Sequence, residues 1–249
     1  MRETMLRNLE VMRKSIETGL NPDLKSASGI VGGNAHKMRT AIDDGIIEDS
    51  LINKAAVYAL AVAETNACMG RICAAPTAGA CGILPGVLIA AAEYKCFDDD
   101  KIIDALFVAG DIGLRIAQKA TLSGAAGGCQ AECGAAAAMA AGSLVSMLGG
   151  ETDTIDDAVA IALKSIMGLV CDPVAGLVEV PCVKRNANCS SIAITSANMA
   201  LAGIKSVIPA DEVIVAMGDV GKSMPPELRE TSRGGLAVTP SAIRIGKVK

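Results

Sequence analysis

The chain has 249 residues, of which 51% are hydrophobic and 20% are charged, and this composition excludes a disordered protein and suits one large domain. The formal net charge is −4 and no basic run is longer than Lys184-Arg185, which argues against nucleic acid as a partner. Aromatic residues make up only 2% of the chain and tryptophan is absent, whereas the 26 glycines favour helices that approach closely through small residues.

Apolar residues recur with a period near 3.6 along most of the chain, and this pattern predicts an all-α fold, a single globular multi-helix domain over residues 1–249. In chain order, the predicted helical segments are Met1–Thr18, Met38–Asp44, Asp49–Met69, Ile83–Lys95, Asp98–Lys119, Cys129–Leu148, Thr154–Leu169, Ser190–Lys205 and Pro209–Asp219. Glycine-rich loops are predicted at Lys25–Lys37, Ala75–Gly82 and Ser123–Gly128, and the tail from about residue 225 to 249 is predicted to be extended.

Local signals support some of these boundaries. Asp49 or Ser50 is expected to cap the third helical segment, and Thr154–Asp157 has the form of a weak capping box. Val178–Val183 is the one strand-like stretch, but the proline within it favours an extended loop.

The longest apolar runs, Gly82–Ala92 and Gly134–Leu148, are interrupted by glycine or proline and are shorter than the roughly 18 to 20 residues that span a bilayer. We therefore expect buried helices and no membrane partner. The N-terminus lacks the apolar stretch of a signal peptide, so a cytoplasmic location is expected. In that reducing compartment, the nine cysteines are expected to be metal ligands or small core residues, and not a disulfide framework.

Three cysteines lie where the helical pattern is interrupted: Cys129 after two glycines, Cys171 before Asp-Pro, and Cys182 after a proline. Thiolates on loops at helix ends can converge on a metal without breaking a helix. Three of them, and not four, would leave one corner of an iron–sulfur cluster free to contact a substrate. A position near a helix N-terminus would also lower the pKa of the Cys129 thiol and favour its thiolate form.

The alternative is that these cysteines simply pack in the core, which is the more common fate of a single cysteine. Cys133 lies one helical turn after Cys129 and is either a fourth ligand or a core residue, the second being preferred. For the remaining cysteines we expect packing in the core or in loops.

The loop Ala75–Gly82 offers the Thr77 hydroxyl and several unhindered N–H groups, an arrangement that suits a carboxylate, although a plain turn between helices has the same composition. The same two interpretations apply to Ser26–Gly29. His36 is the only histidine, so no Ser-His-Asp relay or histidine-rich metal site can be built from this chain.

Taken together, several long motifs closely resemble the catalytic alpha part of the iron–sulfur-dependent L-serine dehydratase family. The motifs that carry the resemblance are Ala75–Pro85 (APTAGACGILP), Ser123–Glu132 (SGAAGGCQAE), Cys171–Cys182 (CDPVAGLVEVPC), Arg185-Asn186 and Glu230–Ala237 (ETSRGGLA), and they occur in matching order over nearly the whole chain.

The resemblance implies a helical catalytic domain with glycine-rich loops around a cluster site, and the conversion of L-serine to pyruvate and ammonia without pyridoxal phosphate. It implies a [4Fe–4S] cluster held by Cys129, Cys171 and Cys182. The substrate-binding residues expected from the matching motifs and loops are Ser26, Ser28, Thr77, Gly79, Ala80 and Asn186.

The chain departs from the family pattern in three respects. The Ser-Ser-His-Thr-x-Gly-Pro motif, whose histidine is the suspected base, has no match here, so the resemblance implies a separate beta subunit that carries it. No cysteine follows Cys189, so the terminal cysteine ligand of some single-chain relatives is absent. The family also has valine at the position of Cys133, which supports a bystander role for that residue.

The sequence assigns no catalytic base. Lys184 and His36 are candidates, and a histidine of a partner is preferred. Two other interpretations stay open: a structural metal protein that binds zinc or a closed cluster with Cys133 as the fourth ligand, and a non-catalytic assembly module. The sequence also leaves open whether serine, threonine or another β-substituted amino acid is the substrate, and whether the chain forms a homo-oligomer.

Overall fold

A computed structural model describes residues 1–247 of the chain, and within that part the secondary structure is helical, with one isolated bridge between Cys171 and Arg229 and no strand. The helices are α1 Arg2–Gly19, α2 Asn34–Asp43, α3 Leu51–Ala67, α4 Ile83–Lys95, α5 Asp99–Lys119, α6 Gly124–Gly127, α7 Ala135–Met147, α8 Thr152–Ile166, α9 Cys182–Leu201, α10 Ala210–Ser223 and α11 Pro240–Lys247. They form a single compact domain, which confirms the all-α prediction.

Helices α3, α4, α7 and α9 form the centre of the molecule, with α7 also packed against α5 and α8. Every residue of α7 is buried except Ser146, and alanine is its most frequent residue. The backbones of α3 and α4 approach so closely that a Cβ atom at Gly82 would collide with the carbonyl oxygen of Ala59. Small residues therefore allow close helix packing, as the composition predicted. Within the described residues, no helix is both long enough and apolar enough to cross a bilayer.

Polar caps begin several helices. Ser50 is the N-cap of α3, and its hydroxyl accepts a hydrogen bond of 3.3 Å from the backbone N–H of Asn53, as the sequence predicted. Helix α2 begins differently, because the buried carboxylate of Glu64 on α3 accepts hydrogen bonds of 3.0 Å from the N–H groups of both Asn34 and Ala35. A tertiary contact thus starts α2 inside the predicted loop Lys25–Lys37.

Two further predicted helix starts were wrong. Helix α9 begins at Cys182, eight residues before the predicted start at Ser190, because Pro181 ends the preceding turn and needs no N–H partner at that position. Helix α8 begins at Thr152 after Glu151, with no side-chain cap, so the capping box at Thr154 does not form.

The predicted extended tail was also wrong in its last part. Residues 226–228 and 235–238 form short 3₁₀ turns, and Pro240–Lys247 forms helix α11. Thr239 starts this helix, since its hydroxyl accepts a hydrogen bond of 3.4 Å from the N–H of Ala242, and Ala242 is buried. Residues 248–249, which the prediction also covered, lie outside the described residues.

Candidate cysteine-lined active site

A cavity of about 460 Å³ is lined by residues from four segments, 78–79, 125–132, 171–182 and 229–231, and its volume is typical of small-molecule sites. Its walls contain three residues that the sequence predicted for the site, namely Gly79, Cys171 and Cys182. The other lining residues are Ala78, Ala125, Glu132, Pro173, Gly176, Val178, Arg229, Glu230 and Thr231.

Cys171 is held by backbone pairing with a distant segment of the chain. Its N–H donates to the carbonyl of Leu228 at 2.9 Å, and its carbonyl accepts from the N–H of Glu230 at 2.8 Å. Because both backbone groups are satisfied in this way, the thiol side chain is fixed against the segment 228–230.

A buried ion pair supports the same loop. Arg185 lies 2.9 Å from the carboxylate of Asp172, and its guanidinium also donates to the carbonyl of Val170 at 2.8 Å, so it holds both neighbours of Cys171. The second oxygen of Asp172 accepts from the N–H of Leu236 at 2.8 Å. A side chain at Gly235 would collide with this carboxylate, and the φ of +59° at Gly235 also favours glycine.

Cys182 is the first residue of α9, and Asn186 fixes its position relative to the loop Ala75–Gly82. The amide of Asn186 donates to the carbonyls of Cys182 at 2.9 Å and Gly79 at 2.8 Å, and its oxygen accepts from the N–H of Gly82 at 2.8 Å. Asn186 is 1% exposed. It therefore positions the loop through contacts within the chain, while its predicted contact with substrate stays a prediction.

Cys129 is placed by the buried side chain of its neighbour Gln130. The Gln130 amide donates to the carbonyls of Gly127 and Met217, its oxygen accepts from the N–H of Gly168, and its backbone N–H donates to the carbonyl of Leu169. These bonds hold Cys129 beside the chain that leads to Cys171. The helix after Cys129 starts with a π-helical segment, Gln130–Gly134, before α7.

The electrostatic environments of the three thiols differ. The Sγ atoms of Cys129 and Cys133 lie 3.3 Å apart, and this hydrogen bond lowers the pKa of Cys129, an effect that the nearby Arg185 guanidinium reinforces. Burial raises the pKa of Cys182 to about 12 and raises that of Cys171 as well, and a charge on Cys129 adds to both shifts. A negative charge on Cys129 thus disfavours a charge on the other two thiols, and a bound cation would relieve that repulsion.

The donor set fits a cluster better than a single ion. Among residues 1–247, no three His, Cys, Asp or Glu side chains converge closely enough to hold one metal ion. An iron–sulfur cluster distributes its cysteine ligands over different iron atoms, so its ligands do not need to meet at one point. Soft thiolates on separate loops around a cavity suit that kind of group.

Glu132 belongs to the site although the sequence interpretation missed it. One carboxylate oxygen accepts a hydrogen bond of 2.8 Å from the Thr77 hydroxyl, and the other lies 3.9 Å from the Cys171 thiol. Burial raises the pKa of Glu132, and the Thr77 hydrogen bond partly opposes that shift. Its place in the quoted motif, three residues after Cys129, was the available signal.

The other predicted substrate contacts are engaged inside the protein. The hydroxyls of Ser26 and Ser28 both donate to one oxygen of Glu179, at 2.8 and 2.6 Å, and the Thr77 hydroxyl donates to Glu132. Ala80 is fully buried, and its N–H donates to the carbonyl of Thr77 at 3.3 Å. Neither of the candidate bases, His36 on α2 and the exposed Lys184 on α9, lines the cavity.

Comparison with known proteins adds an independent finding. The family described as "Serine dehydratase alpha chain" matches residues 1–237. The probable L-serine dehydratase alpha chain of Bacillus subtilis is 50% identical over 98% of this chain and 82% of its own length. The L-serine dehydratase alpha chain of Peptoniphilus asaccharolyticus is 46% identical over 92% of this chain and 79% of its own. For the L-serine dehydratase TdcG of Escherichia coli, the identity is 39% over 92% of this chain and 52% of that protein. The chain therefore belongs to the serine dehydratase alpha chain family.

Proposed function

We propose that this chain is the cluster-binding part of an L-serine dehydratase, an ammonia-lyase that converts L-serine to pyruvate and ammonia. The relatives named as L-serine dehydratases support the reaction. The observation that carries the proposal is the cavity lined by Cys171, Cys182 and Glu132, with the buried Cys129 held by Gln130 against the segment that leads to Cys171.

The proposed cofactor is a [4Fe–4S] cluster held by Cys129, Cys171 and Cys182. Each of these cysteines is held in place by a different contact. The Gln130 side chain holds the segment of Cys129, backbone pairing with residues 228–230 holds Cys171, and the Asn186 side chain holds Cys182 at the start of α9. Ligands that are fixed before the metal binds lose little conformational entropy on binding, so this support favours the cluster.

Hydroxide is a poor leaving group, and the bound cluster would supply a Lewis acid, at the iron without a cysteine ligand, that stabilises the negative charge on the departing oxygen. The residues of the chain enclose the substrate in the cavity and orient it. Thr77 keeps the Glu132 carboxylate in place, and Asn186 keeps the loop 79–82 against α9. Serine loses its α-proton and its hydroxide, which together make one water, and the resulting aminoacrylate tautomerises to an imine that a water hydrolyses to pyruvate and ammonia.

A partner is proposed to supply the base. Neither His36 nor Lys184 lines the cavity, and two relatives bear names that describe them as alpha chains. This chain spans about half the length of TdcG. We propose a beta subunit that carries the Ser-Ser-His-Thr motif and whose histidine removes the α-proton.

The test replaces each of the three cysteines by alanine in enzyme that is assembled with its beta subunit and purified without oxygen. Cys171→Ala, Cys129→Ala and Cys182→Ala are each expected to lose the brown colour of the cluster and the formation of pyruvate from L-serine. Cys96→Ala, at the exposed end of α4, is the matched control and should keep both. Full colour and activity in Cys171→Ala would overturn the proposal, and zinc in place of iron would favour a structural site.

A further inference from the structure

Three charged side chains on the wall of the cavity lack a charged partner. Arg229, Glu132 and Glu230 all line it, and within residues 1–247 none of them forms an ion pair. The Nε atom of Arg229 is buried and has no hydrogen-bond partner in the described part of the chain. A buried donor without a partner is costly, so its presence beside a cavity indicates that a ligand supplies the acceptor.

The backbone fixes Arg229 and Glu230 beside the thiol of Cys171. The Cys171 backbone pairs with Leu228 on one side of Arg229 and with Glu230 on the other. Glu230 has a φ of +63°, a left-handed conformation that is uncommon for residues other than glycine. The next turn is also anchored, because the Ser232 hydroxyl donates to the carbonyl of Pro173 at 2.7 Å. Such a conformation persists only where the surroundings enforce it, and it is often found at functional sites.

The two carboxylates approach each other across a glycine. A Cβ atom on Gly124 would lie 2.5 Å from an oxygen of Glu132 and 3.2 Å from an oxygen of Glu230. Two carboxylates that repel each other in a cavity are stabilised by a cation between them. Among the residues 1–247 that line this cavity, Arg229 is the only cationic one, and it forms no ion pair with either carboxylate.

We propose that Arg229 binds the α-carboxylate of the amino-acid substrate and that Glu132 and Glu230 bind its α-ammonium group. The proposal rests on the proposed function and makes the substrate class more specific: an amino acid with both charged groups free. The Nε and one Nη atom of an arginine form a flat edge that matches the two oxygens of a carboxylate. It also replaces the predicted serine and threonine donors, whose hydroxyls already donate to Glu179 and Glu132.

The experiment uses the assembled enzyme with its cluster and compares Arg229→Gln with Arg7→Gln, a loss of the same charge at an exposed residue of α1 that does not line the cavity. L-Serine gives KM and kcat, and calorimetry gives the Kd of L-alanine, which has both charged groups but no hydroxyl to lose. Arg229→Gln is expected to raise the KM for L-serine and the Kd of L-alanine about 10- to 100-fold, the range for a lost charged hydrogen bond. Arg229→Lys keeps the charge and should recover part of the affinity, whereas Arg7→Gln should match wild type.

Two competitive inhibitors test the carboxylate-binding and the ammonium-binding residues separately. Propionate has the carboxylate and lacks the ammonium group, and ethylamine has the reverse. Arg229→Gln should weaken inhibition by propionate and leave that by ethylamine unchanged. Glu230→Gln should do the opposite, and Glu227→Gln, at an exposed position nearby, should change neither.

Failure of this proposal and failure of the proposed function give different results. If the wild-type enzyme converts L-serine but Arg229→Gln and Arg229→Lys leave KM and the Kd of L-alanine unchanged, the recognition site is overturned and the lyase stands. If the wild-type enzyme neither converts L-serine nor binds L-alanine, both are overturned. Circular dichroism and the cluster absorbance show whether a variant is misfolded. If Arg229→Gln is misfolded, the KM of Arg229→Lys and its inhibition by propionate and ethylamine test the recognition site.

Discussion

The helical core and the loop assembly around the cysteine cavity are built on different principles. Most residues of the core helices α3, α4 and α7 are buried, largely by apolar packing among alanines and larger apolar side chains. The loop assembly consists of the segments 127–130, 168–173 and 228–236, which are distant in sequence and are joined by hydrogen bonds, and a buried ion pair links the second of them to Arg185 on α9. Apolar packing tolerates many sequences of similar volume, whereas the loops depend on individual polar side chains. The candidate chemistry lies in the second region, on a scaffold that the first makes rigid.

The largest effect is expected from the ion pair in the loop assembly. Arg185→Met leaves the Asp172 carboxylate, 4% exposed, without its partner. Removal of one member of a buried pair costs about 3–5 kcal/mol, so we expect a loss of that size in the free energy of unfolding, together with weaker retention of the cluster. Urea denaturation without oxygen measures the free energy of unfolding, and the cluster absorbance measures the retention of the cluster. Arg233→Met, at an exposed site, is the control, and a loss of below about 1 kcal/mol in Arg185→Met would mean that the pair does not support the loop.

A core substitution should affect stability and leave the site intact. Leu144 on α7 is fully buried, and Leu144→Ala is expected to lower the free energy of unfolding by about 2–5 kcal/mol through lost burial and a cavity. The KM for L-serine of the assembled enzyme should stay at the wild-type value. Leu114→Ala, at a position that is 57% exposed on α5, should change neither quantity. A large rise in KM for Leu144→Ala would show that the two regions are not separable in the way described.

Thr77→Val removes a hydroxyl at the boundary between the loops and the cavity. Its hydrogen bond to Glu132 would be lost, and leaving a buried carboxylate oxygen unsatisfied costs about 1–3 kcal/mol. We expect a modest loss in the free energy of unfolding and a clear decrease in kcat/KM, because Glu132 lines the cavity. The exposed Thr40→Val serves as the control. Unchanged kcat/KM would argue that the position of Glu132 does not matter for turnover.

The smallest effect concerns the surface between α5 and α10. Hydrogen bonds from Lys119 and Arg115 lower the pKa of Asp211 below its usual value, so the stabilisation that it provides is present at neutral pH and disappears as the pH falls through that lowered pKa. Asp211→Asn should therefore reduce Tm at pH 7 and have no effect in strong acid. Because the pair is largely exposed, the difference at pH 7 should be under about 1 kcal/mol. A Tm difference that persists at the lowest pH would contradict this assignment.

The sequence predicts most of the core helices because each helix is specified by residues that are neighbours in the sequence. Helix α4 has the predicted bounds, Ile83–Lys95, because its apolar run begins after Gly82 and ends at Cys96, which takes a left-handed conformation with a φ of +56°. The sequence did not predict the start of α9 at Cys182. Pro181 was interpreted as a break in the helical pattern, whereas it is the N-cap residue of the helix.

For the candidate site, the sequence indicates the cysteines but not the charges around them. Cys129, Cys171 and Cys182 stood out because each lies at a break in the helical pattern. Arg229 and Glu132 did not, because their importance depends on which distant segments pair. The bridge between residues 171 and 229, and the contact of Glu132 with Thr77, are tertiary contacts that no local pattern specifies.

The central claim is that the thiols of residues 129, 171 and 182 hold an iron–sulfur cluster, and the most direct measurement is the iron and acid-labile sulfide content of the protein isolated without oxygen. Wild type and Cys96→Ala are predicted to contain about four iron and four sulfide per chain, and Cys171→Ala to contain far less of both. A Cys171→Ala protein with the full complement of iron and sulfide, or a wild type that holds zinc and no sulfide, would contradict the account.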